Sequence, residues 1–340
     1  MKKIILFFIC LIFFTGCYDY QELNDMNIVS GIGIDYKDDE YIVSLEMVES
    51  SKEDSGSKIE TNVINGKDKI LANAINQAIN NSDKKVYFKH VDLLIISEQL
   101  ANKGIGDVVD YILRDVTISS SFFTVVAENP EEILTTDIDN DSISNLIVDT
   151  IRYNVDASQI DNIDLIVSNI TNERKDIALP YIELDDENVI IDNIAYFKKS
   201  KMVGKINNKI YNFLVLKSNN LDFDDNDNVI NIYKKDIKYD VKKDKIIINI
   251  NGMGKVKKVN TDINLEDTNS YKEVEKGIQE TIATEVESFI EETLNEESDL
   301  IGFKDLYYRI YGKEKDNLPY EVNVKVKITR NGAIYETIHD

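Results

Sequence analysis

The sequence predicts an α+β protein of two or three mixed α/β domains, built on mainly antiparallel sheets with helices packed against them. Period-two alternation recurs in short runs, most clearly at Tyr320, Val322, Val324, Val326 and Ile328 set against Glu321, Asn323, Lys325 and Lys327. Helical stripes lie between such runs, the longest over residues 270–295. In the first half of the chain the two kinds of segment interleave as β-β-α-β-α-β instead of separating into blocks. A hydrophobic share of 43% and a charged share of 30% describe a folded chain, and 340 residues suffice for several cores.

The first residues address the protein. Lys2 and Lys3 give a positive start, and residues 4–14 form an unbroken apolar run, too short to span a bilayer but suited to a signal peptide. The run ends in Phe14-Thr15-Gly16-Cys17, a small-residue cleavage site followed directly by cysteine. That order is the bacterial lipoprotein signature. Residues 1–16 are expected to be removed and the Cys17 thiol alkylated by diacylglycerol, with the new amine open to acylation by a fatty acid such as palmitate. Cys10 would leave with the leader and Cys17 would be consumed by lipid, so no disulfide, thiolate metal site or cysteine nucleophile is expected.

Residues 18–25 read as a polar tether. Residues 28–35 and 41–48 read as a hairpin about Lys37-Asp38-Asp39-Glu40, with Gly31 and Gly33 allowing close backbone approach. A Ser-rich loop is predicted over 49–57, a helix over 67–80, and a strand over 86–97 whose run Leu93-Leu94-Ile95-Ile96 suits a central position. A helix over 105–114, a strand over 120–127 and a short helix opened by Pro130 follow. After a polar break within 129–141, helices are predicted at 143–151 and 160–170. Pro180 and Asp185-Asp186-Glu187 mark a domain boundary, giving an N-terminal α+β region over 17–184, itself divisible near 129–141, and a C-terminal α+β domain over 185–340.

The second region opens with a hairpin, 189–197 and 202–206, then a short helix through Ile210, Phe213 and Leu214. Strands are predicted at 229–233, 236–241 and 245–251. In the long helix Val274, Ile278, Ile282, Val286, Phe289 and Leu294 form the buried stripe, while Glu273, Glu280, Glu287 and Glu291 face water. A helix carrying Phe303, Leu306, Tyr307 and Ile310 precedes the last alternating strand, which Asn331-Gly332 closes.

Few function classes survive the composition. The formal net charge is −23, and loss of Lys2 and Lys3 with the leader takes it to −25, a surface repelled by nucleic acid and by anionic headgroups. Only His90 and His339 are present, the first predicted inside a strand and the second next to last, so a Ser-His-Asp triad has one poor candidate base. Gly31-Ile32-Gly33 lacks the third glycine and the following helix of a dinucleotide fingerprint. Asp222, Asp224 and Asn226, and Asp137, Asp139 and Asp141, alternate like calcium ligands. The sixth and twelfth positions of such a loop then hold Asp227 and Tyr233, or Ser142 and Val148, in place of glycine and glutamate. With no tryptophan in the chain, an aromatic sugar platform or solute pocket is disfavoured. The residues themselves therefore read as a nonenzymatic, lipid-tethered protein that couples to others at a membrane, without catalytic residues, cofactor or metal. A solute-binding lipoprotein and a cell-wall hydrolase are the alternatives.

Three blocks sharpen this. Cys17-Tyr18-Asp19-Tyr20-Gln21-Glu22-Leu23-Asn24-Asp25 runs into Ile28-Val29-Ser30-Gly31-Ile32-Gly33-Ile34-Asp35. Val86-Tyr87-Phe88-Lys89-His90-Val91-Asp92-Leu93-Leu94-Ile95-Ile96 continues through Gly104-Ile105 to Leu113-Arg114-Asp115. Near the end, Ile301-Gly302-Phe303 to Tyr308-Arg309-Ile310-Tyr311 precedes the strand over 322–330. In this order the blocks resemble the C-subunit lipoproteins of spore germinant receptors, the Ger(x)C family. Tyr18 stands where that family usually has tryptophan, and no tryptophan follows the late helix. The resemblance implies several mixed α/β domains, three in the family's pattern, and no catalytic residues. It implies a peripheral subunit anchored through Cys17 on the outer face of the spore inner membrane. Its partners would be an integral-membrane, transporter-like subunit and a further receptor subunit with soluble domains, acting when nutrients trigger germination.

Overall fold

The computed structural model describes residues 26–53, 56–115, 117–118, 121–139, 141–154, 163–172, 174–185, 188–259 and 267–330. The signal peptide, Cys17 and the tether, Asp186-Glu187, the Asn331-Gly332 turn and His339 lie outside them.

The first strands form an antiparallel meander: β1 (Met26–Lys37), β2 (Glu40–Glu53) and β3 (Gly56–Asp68). Asp38 and Asp39 join β1 to β2 with φ of 55° and 63°, the left-handed pair that lets a two-residue turn follow the twist of its strands. Over 49–57 the expected loop is instead occupied by the end of β2 and the start of β3. β3 lies at the sheet's edge, where Val63 and Ile64 are only half-buried and the apolar signal is weak. Helix α1 (Leu71–Asn80) packs back through Leu71, Ala74, Ile75 and Ala78. Its contact with β3 is at Gly66, where a Cβ would lie 2.0 Å from the Ala74 carbonyl oxygen.

The strand predicted over 86–97 is two strands, β4 (Lys85–Tyr87) and β5 (Leu93–Ser97), both parallel to β1 and separated by a turn that carries His90. The chain continues through α2 (Glu98–Lys103), capped by Ser97, whose Oγ accepts from the Leu100 amide at 3.0 Å, and α3 (Gly106–Arg114). Then come β6 (Phe123–Ala127), α4 (Pro130–Leu134), α5 (Ile143–Asn154), α6 (Ile163–Asn172), β7 (Ala178–Asp185), β8 (Asn188–Lys198) and β9 (Lys201–Asn207). The sheet order is β3-β2-β1-β5-β6-β7-β8-β9, with β4 beside β1. Its centre, β1-β5-β6-β7, is parallel and its flanks are antiparallel. Crossover segments on either side cover both faces of that centre, so Leu93 and Ile95 enter one core while Leu94 and Ile96 enter the other. Gly31 and Gly33 serve as expected: added Cβ atoms would meet Ser144 Oγ at 2.0 Å and Pro130 Cβ at 2.9 Å.

Pro180 lies inside β7. Its missing N–H is tolerated because pairing with β6 begins one residue later, at Tyr181. β7 and β8 pair antiparallel from Ala178↔Tyr196 to Asp185↔Asn188, so strands on the two sides of residues 184 and 185 share one sheet.

The remaining elements are α7 (Asn208–Leu214), β10 (Leu221–Asp225), β11 (Asn228–Val241), β12 (Ile246–Lys258), α8 (Thr268–Asn295), α9 (Phe303–Tyr311) and β13 (Tyr320–Arg330). They build a second sheet of order β10-β11-β12-β13. The two strands expected over 229–241 are one, with a register shift between Ile232 and Lys234 where the alternation breaks. β13 runs parallel to β12, which requires the long crossover that α8 and α9 supply. The α8 stripe of Val274, Ile278, Ile282, Val286 and Phe289 shares one core with Ile230, Ile232, Ile246, Ile248, Ile250, Val326 and Ile328. Glu273, Glu280, Glu287 and Glu291 are exposed, as the spacing predicts. The opposite face of this sheet shows Lys234, Asn251, Met253, Lys325 and Lys327 to solvent.

Candidate functional site

Cys17 lies outside the described residues, and no helix among those described is long and apolar enough to cross a membrane. His90 is exposed in the β4–β5 turn, its ring 5.8 Å from that of Tyr87, and so is not the strand residue expected. Asp222, Asp224 and Asn226 belong to the β10–β11 hairpin, whose turn is Asn226-Asp227 with φ of 46° and 67°. Asp222 accepts from Lys257 Nζ at 2.5 Å and from Asn231 Nδ2 at 2.6 Å. Burial raises that carboxyl, and these donors outweigh it and hold it below its usual range. Asp141 likewise spends its oxygen on the Ser142 amide and the Asn145 side chain at the start of α5. Among the described residues no group of three or more His, Cys, Asp or Glu could hold a metal ion.

Three buried carboxylates, Glu46, Asp176 and Asp299, organise the fold from within. Glu46 on β2 is 0% exposed; its Oε1 accepts from the Ile143 amide at 3.1 Å and its Oε2 from Ser30 Oγ at 2.7 Å. Burial pushes this carboxyl up, and the hydrogen bonds work against that. An acidic group facing the first turn of α5 also complements the helix dipole.

Asp299 lies in the α8–α9 connection and is 4% exposed. Its Oδ1 accepts from the Gly302 and Phe303 amides at 2.8 and 2.9 Å, and its Oδ2 from the Lys304 amide at 2.9 Å, which caps α9. Asp176, just before β7, accepts from the Asp299 amide at 2.9 Å, the Lys199 amide at 3.0 Å and Lys198 Nζ at 3.1 Å. Ser298 Oγ donates to the Phe197 carbonyl at 2.6 Å. Three distant stretches of chain, around 176, 198 and 299, are therefore tied where the end of β8 meets the start of α9. Nothing periodic marks these residues in the sequence. The one legible signal is an aspartate just ahead of a helix start.

Above this knot opens a cleft of 360 Å³, lined among others by Lys198, Glu297, Lys304, Lys315, Asp316 and Leu318. Lys304 pairs with Asp316 at 2.5 Å, which raises the lysine and lowers the aspartate, so both are charged at neutral pH. Lys315 Nζ donates to the Lys243 carbonyl at 2.9 Å. Arg174 lies 3.5 Å over the Tyr308 ring and 3.1 Å from Glu314. The walls carry both signs of charge beside apolar Leu294 and Phe303. Such a lining can hold a small polar solute or a charged segment of another protein.

Comparison with known proteins gives the chain its relatives. A family described as the spore germination protein N-terminal domain matches residues 19–184, and one described as spore germination B3/GerAC-like, C-terminal, matches residues 192–332. Spore germination protein KC of Bacillus subtilis (strain 168) is 24% identical, with 96% of this chain and 95% of that protein covered. Spore germination protein GerQC of Bacillus cereus is 19% identical, covering 98% and 99%. The crystal structure of the GerBC protein superposes with a TM-score of 0.52 at 14% identity, covering 91% of this chain and 99% of that one, a likeness of fold.

Proposed function

Because the chain belongs to the Ger(x)C family of spore germination proteins, we propose that it is a lipid-anchored, nonenzymatic germinant-receptor subunit on the outer face of the spore inner membrane. The observation that carries this reading is the family match beginning at residue 19, two residues after Cys17, the cysteine of a lipoprotein cleavage site. An integral-membrane, transporter-like subunit and a further receptor subunit are its partners. Two or three acyl chains hold a protein to a bilayer stably where one does not. A tether over residues 17–25 reaches at most about 30 Å, which confines the body to a thin layer above the membrane and raises its effective concentration near its partners.

The Cys17→Ala protein, matched in abundance by immunoblot, is expected to leave the membrane fraction of spores. Germination on nutrients should then slow, because roughly 100-fold or more of effective concentration is lost. Unchanged fractionation and unchanged germination would show that Cys17 is not the anchor.

The cleft favours a second reading, in which the subunit itself takes up a small nutrient. At 360 Å³ with lysine and aspartate on its walls, the cleft is sized for an amino acid or a monosaccharide. Ligand at one hundred times its Kd stabilises a protein by about 2.7 kcal/mol, several degrees in Tm. A panel of amino acids and sugars that leaves Tm unmoved assigns the protein to assembly alone.

A further inference from the structure

The face of the four-stranded sheet turned away from α8 is left uncovered by the described residues and carries a group of lysines, on a protein whose formal net charge is −23. Lys234 on β11, Met253 on β12 and Lys327 on β13 stand abreast in the pairing register, with Lys325 two residues along β13 on the same face. Lys234, Lys325 and Lys327 form no ion pair among the described residues. By contrast, Lys238, Lys242, Lys245 and Lys257 on the same sheet and its β11–β12 turn are each neutralised by a carboxylate. A shallow groove of 370 Å³ runs between these three lysines; Asp236, paired with Lys238, is also on its lining, and Met253 lies 39% exposed in it.

Like charges on neighbouring strands repel one another, so fold stability does not account for the grouping. Lysines on an edge strand guard against aggregation, which accounts for β13 and also for Lys234, since β10 pairs with β11 only as far as Ile232, but not for an exposed methionine between them.

We propose that this face rests on the surface of an anionic phospholipid bilayer. The inference builds on the anchored state proposed above, which places the body within tether reach of headgroups. A flat sheet presenting ammonium groups around one apolar side chain fits a plane of phosphates better than a single acidic peptide, which would need a deeper groove. The acidic remainder of the protein does not forbid this. At physiological ionic strength charges farther than about 8 Å from the headgroups are screened, so the local face decides the sign. The repulsion of the acidic surface by anionic headgroups then acts on its other sides, and this face turns inward.

The test uses the full lipidated protein on vesicles of phosphatidylcholine alone and of phosphatidylcholine mixed with phosphatidylglycerol. Amine acetylation is read lysine by lysine by mass spectrometry. On the anionic vesicles Lys234, Lys325 and Lys327 should each be protected roughly five-fold, the equivalent of about 1 kcal/mol per lysine. Exposed Lys69, on the other sheet's side of the molecule, serves as reference and should not change. High salt should abolish the protection, and Lys325→Glu with Lys327→Glu should abolish it at Lys234. Equal reactivity on both vesicles overturns the proposal. Protection that appears only in spore membranes holding the other receptor subunits also overturns it, and assigns the face to an acidic protein partner. Failure of the protein to stay with either vesicle counts against the anchor instead.

Discussion

Asp299→Ala is expected to destabilise the protein by about 3 kcal/mol, measured as a lower urea midpoint at constant m. The change orphans the amides of Phe303 and Lys304 at a buried helix start and leaves Gly302 only its 3.2 Å bond to the Asp299 carbonyl. Loss of a helix cap alone is worth about 1 kcal/mol, and buried donors without acceptors add to it. Asp299→Asn retains one acceptor oxygen in the same shape and should recover most of the loss. The same variant separates charge from hydrogen bonding. Burial, with the Asp176 charge adding to it, pushes the Asp299 carboxyl above its ordinary value, and the three amides oppose this without cancelling it. The folded state then holds this proton more tightly than the unfolded state does. Its contribution to stability is fully present below the unfolded carboxyl range near about pH 4 and is lost as pH rises through the raised folded value. The Asn variant should lack that slope, so native and variant stabilities should converge on alkalinisation. A native protein whose stability shows the same pH slope with and without the Asp299 carboxyl contradicts the argument.

Gly66→Ala should cost about 3 kcal/mol, at the upper end for overpacking, because the obstacles are backbone atoms. The added carbon would lie 2.0 Å from the Ala74 oxygen and 2.4 Å from the Ala78 nitrogen, so α1 has to lift off β3 as a body. Leu71, Ala74, Ile75 and Ala78 would lose contact together, and amide exchange in residues 71–80 should accelerate ahead of global unfolding. Gly106→Ala is the matched control. Its Cβ would meet nothing nearer than Ser200 Oγ at 4.0 Å, and alanine at the start of α3 should be neutral or add a few tenths of a kcal/mol. Equal melting of the two variants would mean that close approach at residue 66 is not what positions the helix.

These two sites also mark how far sequence patterns reach. α8 was legible because 28 residues repeat one stripe, and β13 because its alternation persists over eleven. Over β5 the unbroken apolar run announced a strand covered on both faces. β3, β7 and β10 were not legible, each for its own reason. β3 is an edge strand with little to bury, β7 carries Pro180 at a place where no amide is needed, and β10 holds three aspartates around the single fully buried Phe223. The family was readable because its blocks are local: a glycine pair under two helices, an apolar strand, a capped helix. The knot of Asp176, Lys198 and Asp299 was not readable, since its members are scattered along the chain and only the folded backbone brings them together.

The parallel pairing of β12 with β13 orders events in time. β12 ends at Lys258 and its neighbour begins at Tyr320, so the small sheet stays open along one side until some sixty further residues have emerged. A polypeptide delivered from its N-terminus forward completes the large sheet first and holds the oily side of α8 only half sheltered meanwhile. Folding quality control therefore has a long, late window, and a termination codon anywhere before Tyr320 yields not a trimmed protein but one with an open, sticky flank.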